Sequence, residues 1–112
     1  MESTRQQKIA RQLQRDAAEI LRDEAAGVVG GVMTTVTAVR VSPDFAYAKI
    51  YVSVFPFSKA EQTLEALRSN TWLIRKALGR RVRNQLRIVP EIEFFIDDSL
   101  EYIENIDNLL KE

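Results

Sequence analysis

The chain has 112 residues, nearly half of them apolar, which suits one small domain with a buried core. It has no cysteine and no histidine, which excludes a disulfide framework, thiolate chemistry and imidazole general bases, and removes the usual zinc ligands. Its 16 basic and 16 acidic residues sum to zero, but they lie in separate blocks, and a polyanion responds to the local field rather than to the sum.

No apolar run approaches the ~20 residues that a membrane span needs. The N-terminal MESTRQQK lacks the apolar core of a secretory signal. The expectation is a cytoplasmic, monomeric protein with no membrane partner, no cofactor and no small-molecule substrate. Residues 1–4 are read as a flexible N-terminus ahead of a single domain that occupies the chain.

Arg5 to Ala26 is predicted as a long helix. Ile9, Leu13, Ala17, Ile20 and Leu21 recur at helical spacing and form one apolar stripe. At about 100° per residue, Lys8, Arg11, Arg15 and Arg22 fall in one arc on the opposite side. Asp16, Glu19 and Asp23 border that arc, and Arg15 is four residues from Glu19, so an ion pair between them is expected. Gly27 is placed to cap this helix, and Gly30 and Gly31 extend the loop.

The β-branched run from Val32 to Val41 is a strand. Ser42-Pro43-Asp44 supplies turn chemistry, since Pro presets φ and Asp can accept from the backbone ahead of it. Tyr47 to Phe55 alternates: Ala48, Ile50, Val52 and Val54 inward, Lys49, Tyr51, Ser53 and Phe55 outward. The short connection makes the pair an antiparallel hairpin.

Pro56 ends that strand. Ser58-Lys59-Ala60-Glu61 matches the S-x-x-E capping box, so a helix is predicted to start there, burying Ala60, Leu64 and Leu67. Ser69-Asn70-Thr71 is poor helix material and marks a kink. From Trp72 to Asn84 the chain is helical again, with Ile74, Ala77, Leu78 and Val82 inside. Its outer side gathers Trp72, Lys76, Arg80 and Arg83, while Arg81 falls on the apolar side and is expected to snorkel or to loosen the helix.

Ile88 to Asp97 is the third strand, with Pro90 at its start or on an edge because it cannot donate to a ladder. Ile92, Phe94 and Ile96 alternate against Glu91, Glu93, Phe95 and Asp97. Asp98 or Ser99 could cap a last amphipathic helix over 99–111, with Leu100, Ile103, Ile106 and Leu110 as its stripe. A three-stranded sheet with helices on one face gives a two-layer α+β domain.

Several of these stretches resemble a known family. Val41-Ser42-Pro43-Asp44, Ala48 to Val52, Ile74-Arg75, Leu78-Gly79, and Val89-Pro90-Glu91 followed by Phe94 and Asp97-Asp98-Ser99 occur in the order and spacing of ribosome-binding factor A, a bacterial small-subunit assembly factor. The resemblance implies a type II KH-like fold, α-β-β-α-kink-α-β, here with a C-terminal helix. It also implies association with free 30S subunits and help in late maturation and 5′-end processing of 16S rRNA, with a link to growth in the cold. Members replace the Gly-x-x-Gly loop of KH domains by an Ala-x-Gly kink. This chain departs from that pattern, with Asn70-Thr71-Trp72 at the position; Asn tolerates left-handed backbone, so Asn70 and Thr71 are the expected kink residues.

The candidate rRNA-binding residues are therefore Arg75, Lys76, Arg80, Arg81, Arg83 and Arg87 of the basic stretch, with Lys8, Arg11, Arg15 and Arg22 as a second surface. Lys and Arg neutralise phosphates and release counterions, whereas the bland alternative is a solvated helix face. Trp72 either stacks on a base or packs at the helix junction. Tyr51, Phe55 and Phe95 on the outer sheet face suggest base stacking, but Glu91 and Glu93 share that face and repel phosphate. Asp97-Asp98 do not make a metal site, because successive strand residues point to opposite faces. The expectation is a non-enzymatic binder; the competing one is a protein-interaction module using the last helix or the outer sheet face.

Overall fold

The computed structural model describes residues 3–97. The predicted C-terminal helix over 99–111 and the Asp98 cap lie outside the described residues. The order is α1 (Thr4–Asp23), β1 (Met33–Val41), β2 (Tyr47–Phe55), a short 3-10 turn at Phe57–Lys59, α2 (Ala60–Ser69), α3 (Thr71–Val82) and β3 (Glu91–Ile96). This is the expected KH-like α+β arrangement.

α1 starts earlier than predicted because Ser3 caps it. The Ser3 hydroxyl accepts from the Gln6 N–H at 3.1 Å, and the Gln6 side chain accepts from the Ser3 N–H at 2.9 Å. That reciprocal pair satisfies two donors a bare helix end would leave orphaned. Ser3 is thus the N-cap and Thr4 the first residue of the helix. The buried Gln6 amide also donates to the Val41 carbonyl at 2.9 Å, which fixes the first turn of α1 to the end of β1. At its other end α1 stops at Asp23, and Gly27 does not take the left-handed cap; the positive φ values fall at Gly30 and Gly31 instead.

β2 lies in the centre of the sheet, antiparallel to β1 and parallel to β3. Its inward residues Ala48, Ile50, Val52 and Val54 are all fully buried, as alternation predicts. β1 alternates only in halves. Its register slips between Val36 and Ala38, so burial passes from Val36 to Val39 and Val41. This is a bulge, with the extra residue left without a partner position. Gln14 of α1 holds it, donating to the Thr37 carbonyl at 3.2 Å.

The helices cover one face of the sheet. Leu13, Ala17 and Ile20 of α1, Leu67 of α2, and Ile74, Leu78 and Val82 of α3 meet Ile50, Val52 and Phe94 in a single core. Each of the larger side chains among them contributes about 1.5–3 kcal/mol by leaving water, and Ala17 less.

The predicted capping box at Ser58 is not formed. The Lys59 N–H bonds the Pro56 carbonyl, which winds Ser58 into the 3-10 turn. An N-cap side chain needs extended backbone to reach forward, so Ser58 is in the wrong conformation to serve. α2 starts at Ala60 with no side-chain cap and buries Ala60, Thr63 and Leu67, leaving Leu64 half-exposed.

Candidate nucleic-acid interface

The kink sets the position of α3, and it is not the left-handed one expected. Asn70 has φ −115° and ψ 20°, an ordinary negative-φ conformation. What breaks the helix is hydrogen bonding. The Asn70 side chain donates to the Ala66 carbonyl at 2.8 Å, and the Thr71 hydroxyl reaches the carbonyls of Leu67 at 3.2 Å and Arg68 at 3.0 Å. These side chains add bonds to the Ala66 and Leu67 carbonyls, which also accept from the Asn70 N–H at 3.2 Å, and to the Arg68 carbonyl. The Asn70 carbonyl then accepts from Leu73 and Ile74 and begins α3. The kink thus needs neither Ala nor Gly.

From there α3 presents Trp72, Lys76, Arg80 and Arg83 on one side, since residues three or four apart share a helix face. They line an open groove of about 460 Å³, with Gly79 and Val89 between them. At Gly79 the helix and the loop before β3 come close. A Cβ there would lie 2.9 Å from the Val89 Cγ2, so any larger residue forces that side chain or its loop to shift. Trp72 is 66% exposed, which removes the reading that it packs at the helix junction.

The expected cations do not act together. Lys76 and Arg83 form no ion pair among the described residues. Arg75 lines the groove but turns to the loop, donating to the Val89 carbonyl at 2.7 Å and the Pro90 carbonyl at 3.0 Å, with Glu91 at 3.8 Å. It holds the groove wall in place. Arg81 does not loosen α3; its side chain runs to the partly exposed end of α1. It donates to Glu19 at 2.6 Å and Glu24 at 3.1 Å, joining α3 to the end of α1. The bond to Glu24, reinforced by Glu19 and opposed by burial, raises its pKa further. Arg80 stands between the two groups: it lines the groove, and its guanidinium reaches Glu24 at 3.5 Å.

The second basic surface is also reduced. Arg22 chelates Asp23 through two bonds of 2.9 and 3.0 Å. The expected Arg15–Glu19 pair is absent, because Glu19 turns to Arg81. Lys8, Arg11 and Arg15 are exposed on α1, and a small groove beside Arg11 reaches Arg40 of β1. Arg87 is exposed on the loop after α3, away from the α3 groove and beside Arg5.

The outer sheet face has contacts of its own. Tyr51 and Phe95 stack at 5.6 Å, Lys49 lies 5.7 Å from the Phe95 ring, and Tyr47 donates to the Glu93 carboxylate. Among the described residues no group of three or more Asp, Glu, His or Cys could hold a metal ion, and no helix is long and apolar enough to cross a membrane.

Sequence reasoning missed Arg5 and Phe45. The Arg5 guanidinium lies 4.6 Å from the centre of the Phe45 ring, and Phe45 has φ +60°. Proximity across the hairpin has no local signal, although the Ser-Pro-Asp turn marked the place.

Comparison with known proteins agrees with this architecture. Residues 5–110 match the family model described as ribosome-binding factor A. The chain is 49% identical over 111 residues to a ribosome-binding factor A of Flavobacterium johnsoniae, covering 98% of this chain and 85% of the relative. The crystal structure of the Thermus thermophilus ribosome-binding factor A superposes with a TM-score of 0.70 at 31% identity, over 81% of this chain and 94% of that one. A homology model of the Thermus thermophilus protein, fitted into a cryo-EM map of its complex with 30S, gives 0.62 at 32% identity, over 80% and 91%.

Proposed function

The chain belongs to the ribosome-binding factor A family, and on that premise we propose that it binds the small ribosomal subunit through ribosomal RNA, with the α3 groove as the phosphate site. In detail, it associates as a monomer with free 30S subunits in the cytoplasm and assists late maturation and 5′-end processing of 16S rRNA. It does so as a binder and not as an enzyme. The fitted complex of the Thermus relative supports the choice of partner.

One observation carries the reading. Lys76 and Arg83, with no internal partner among the described residues, share an open groove with Arg80 and the exposed Trp72. Such a surface offers cations to phosphates and an indole face to a base. A binder of this kind shifts an rRNA equilibrium only by its differential affinity for two conformations. It therefore favours the immature arrangement that fits the groove, and leaves when the mature one no longer does.

The test is binding to isolated small subunits across a salt series. Arg80→Glu with Arg83→Glu should weaken binding by on the order of a hundredfold and flatten the log–log salt slope by about 2. A folded double variant with wild-type affinity and slope would refute the reading. A second reading has its own observation: Met33 and Phe55, opposite each other across β1 and β2, are 67% and 50% exposed. Binding that ignores salt but is lost in Phe55→Ser would make that face a protein interface.

A further inference from the structure

We infer that the cleft between the start of α1, the β1–β2 turn and the loop after α3 is a nucleotide subsite for single-stranded RNA, lined by Arg5, Phe45, Arg87 and Ile88. The inference rests on the rRNA reading above and adds a site to it.

The turn gives the first reason. The Phe45 N–H bonds the Ser42 carbonyl at 2.9 Å, and Phe45 itself takes φ +60°. Left-handed backbone suits Gly or Asn, and a bulky residue there is uncommon. A Gly would make the same turn without strain, so the aromatic ring is what distinguishes this residue. Phe45 is partly buried, packed against the core, and the Arg5 guanidinium lies over its ring, 4.6 Å from the centre. A ring and a guanidinium plane are the two protein surfaces on which bases stack.

The composition of the cleft gives the second. Its volume is about 320 Å³, small but within the size of ligand clefts. Ile88 is 74% exposed, an apolar side chain held out on a loop. Arg87 beside it is exposed and has no ion pair among the described residues. Asp44 also lines the cleft, and its Oδ1 accepts from the Ser42 hydroxyl at 2.7 Å and the Ala46 N–H at 3.1 Å. A fixed carboxylate disfavours a bare phosphate but accepts from a base amino group or a ribose hydroxyl. Cations, an aromatic ring, an aliphatic side chain and one acceptor together suit a whole nucleotide.

Continuity gives the third. Val89 lines the α3 groove and its neighbour Ile88 lines this cleft, so one loop separates the two concavities. A strand whose phosphates follow Lys76, Arg80 and Arg83 meets Arg87 next and Arg5 after it. Beyond Arg5 on the same helix are Lys8 and Arg11. The cleft thus shares Arg5 with the helix that carries the second basic surface.

The experiment titrates the full chain with a single-stranded oligoribonucleotide of about eight residues carrying 2-aminopurine. The wild type should quench the fluorophore. Phe45→Gly, which keeps the left-handed turn, should lose the quenching and bind roughly fivefold to a hundredfold more weakly. Phe45→Tyr should retain both properties. Arg87→Gln, at an exposed side chain with no ion pair among the described residues, should lower the salt slope by about 1 and carries the test if Phe45→Gly does not fold. If Phe45→Gly and Arg87→Gln bind within about twofold of wild type while Arg80→Glu with Arg83→Glu binds poorly, the cleft is not a nucleotide site and the rRNA reading stands. If all three bind like wild type, both fail. Loss of subunit binding with unchanged oligonucleotide binding in Phe45→Gly overturns the nucleotide assignment in favour of a ribosomal-protein contact.

Discussion

The inner seam and the outer rim of α3 carry the same residue types and do different work. On the seam, Arg81 is 29% exposed and bonded to two carboxylates of the α1 end, and Arg75 bonds two loop carbonyls. On the rim, Lys76 and Arg83 face solvent across a groove. Arg80 belongs to both, with 64% of its side chain exposed and a long contact to Glu24. An uninterrupted basic run is therefore not one binding surface. The seam cations bond α3 to the end of α1 and to its own loop, and on the proposed function the rim cations are the ones that meet a polyanion.

Arg81 is where this contrast breaks with the largest effect. Arg81→Ala leaves Glu19 without its cation and Glu24 with only the long contact to Arg80. Loss of two charge-assisted bonds at a partly solvated seam should cost about 1–2 kcal/mol, read as a lower denaturant midpoint. An unchanged midpoint would show that the seam does not hold the helices together. Gly79→Ala comes next. It gains about 1 kcal/mol of helix propensity and loses about 1–3 kcal/mol to overpacking against Val89, so a net loss near 1 kcal/mol is expected. Adding Val89→Ala should recover part of it; an additive double variant would mean that the contact is not the cause.

On the rim the expectation is of another kind. Arg83→Ala should leave the melting temperature unmoved, because the side chain touches no acid among the described residues. Binding to small subunits should weaken, and the salt slope should fall by about 1. A melting shift comparable to that of Arg81→Ala would erase the distinction between seam and rim.

The sequence showed the rim more clearly than the seam. Lys76, Arg80 and Arg83 share a face by helical spacing, and β2 from Tyr47 to Phe55 follows from strict alternation, both of which are local signals. Glu19 is 62 residues from Arg81 in sequence, so no local pattern could name it as the partner. The same holds for Arg75 and the carbonyls of Val89 and Pro90. The capping boxes show a different limit. Ser58 had the better motif, but the turn after Pro56 gave it the wrong backbone, while Ser3 with Gln6 formed the real box. At the kink, Asn70 lies between α2 and α3 at a negative φ rather than a left-handed one, and its amide bonds the Ala66 carbonyl. Phe45 escaped because a turn at Ser-Pro-Asp does not by itself demand positive φ from the residue that follows.

The smallest predicted effect concerns an acid beside the seam. Asp16 has one carboxylate oxygen, Oδ2, buried without a hydrogen-bond partner. Burial raises its pKa, with Glu19 adding to the shift and Arg81, Arg15 and Gln12 opposing it. A carboxyl whose pKa is raised on folding binds its proton more tightly in the native state. Its contribution is therefore most favourable below the unfolded value and is lost as pH rises through the folded one. At neutral pH the ionised Asp16 costs stability, and Asp16→Asn, which cannot ionise, should be the more stable protein. The gain should stay below about 1 kcal/mol, because solvent screens a group that is only partly covered. It should shrink as the pH falls toward the ordinary carboxylate range, where the wild-type side chain takes up its proton. Thermal melts of both proteins from neutral to acidic pH test the sign. If Asp16→Asn is the less stable at neutral pH, attraction to Arg81 and Arg15 outweighs burial, and Asp16 belongs with Glu19 and Glu24 among the acids that hold α3 to α1.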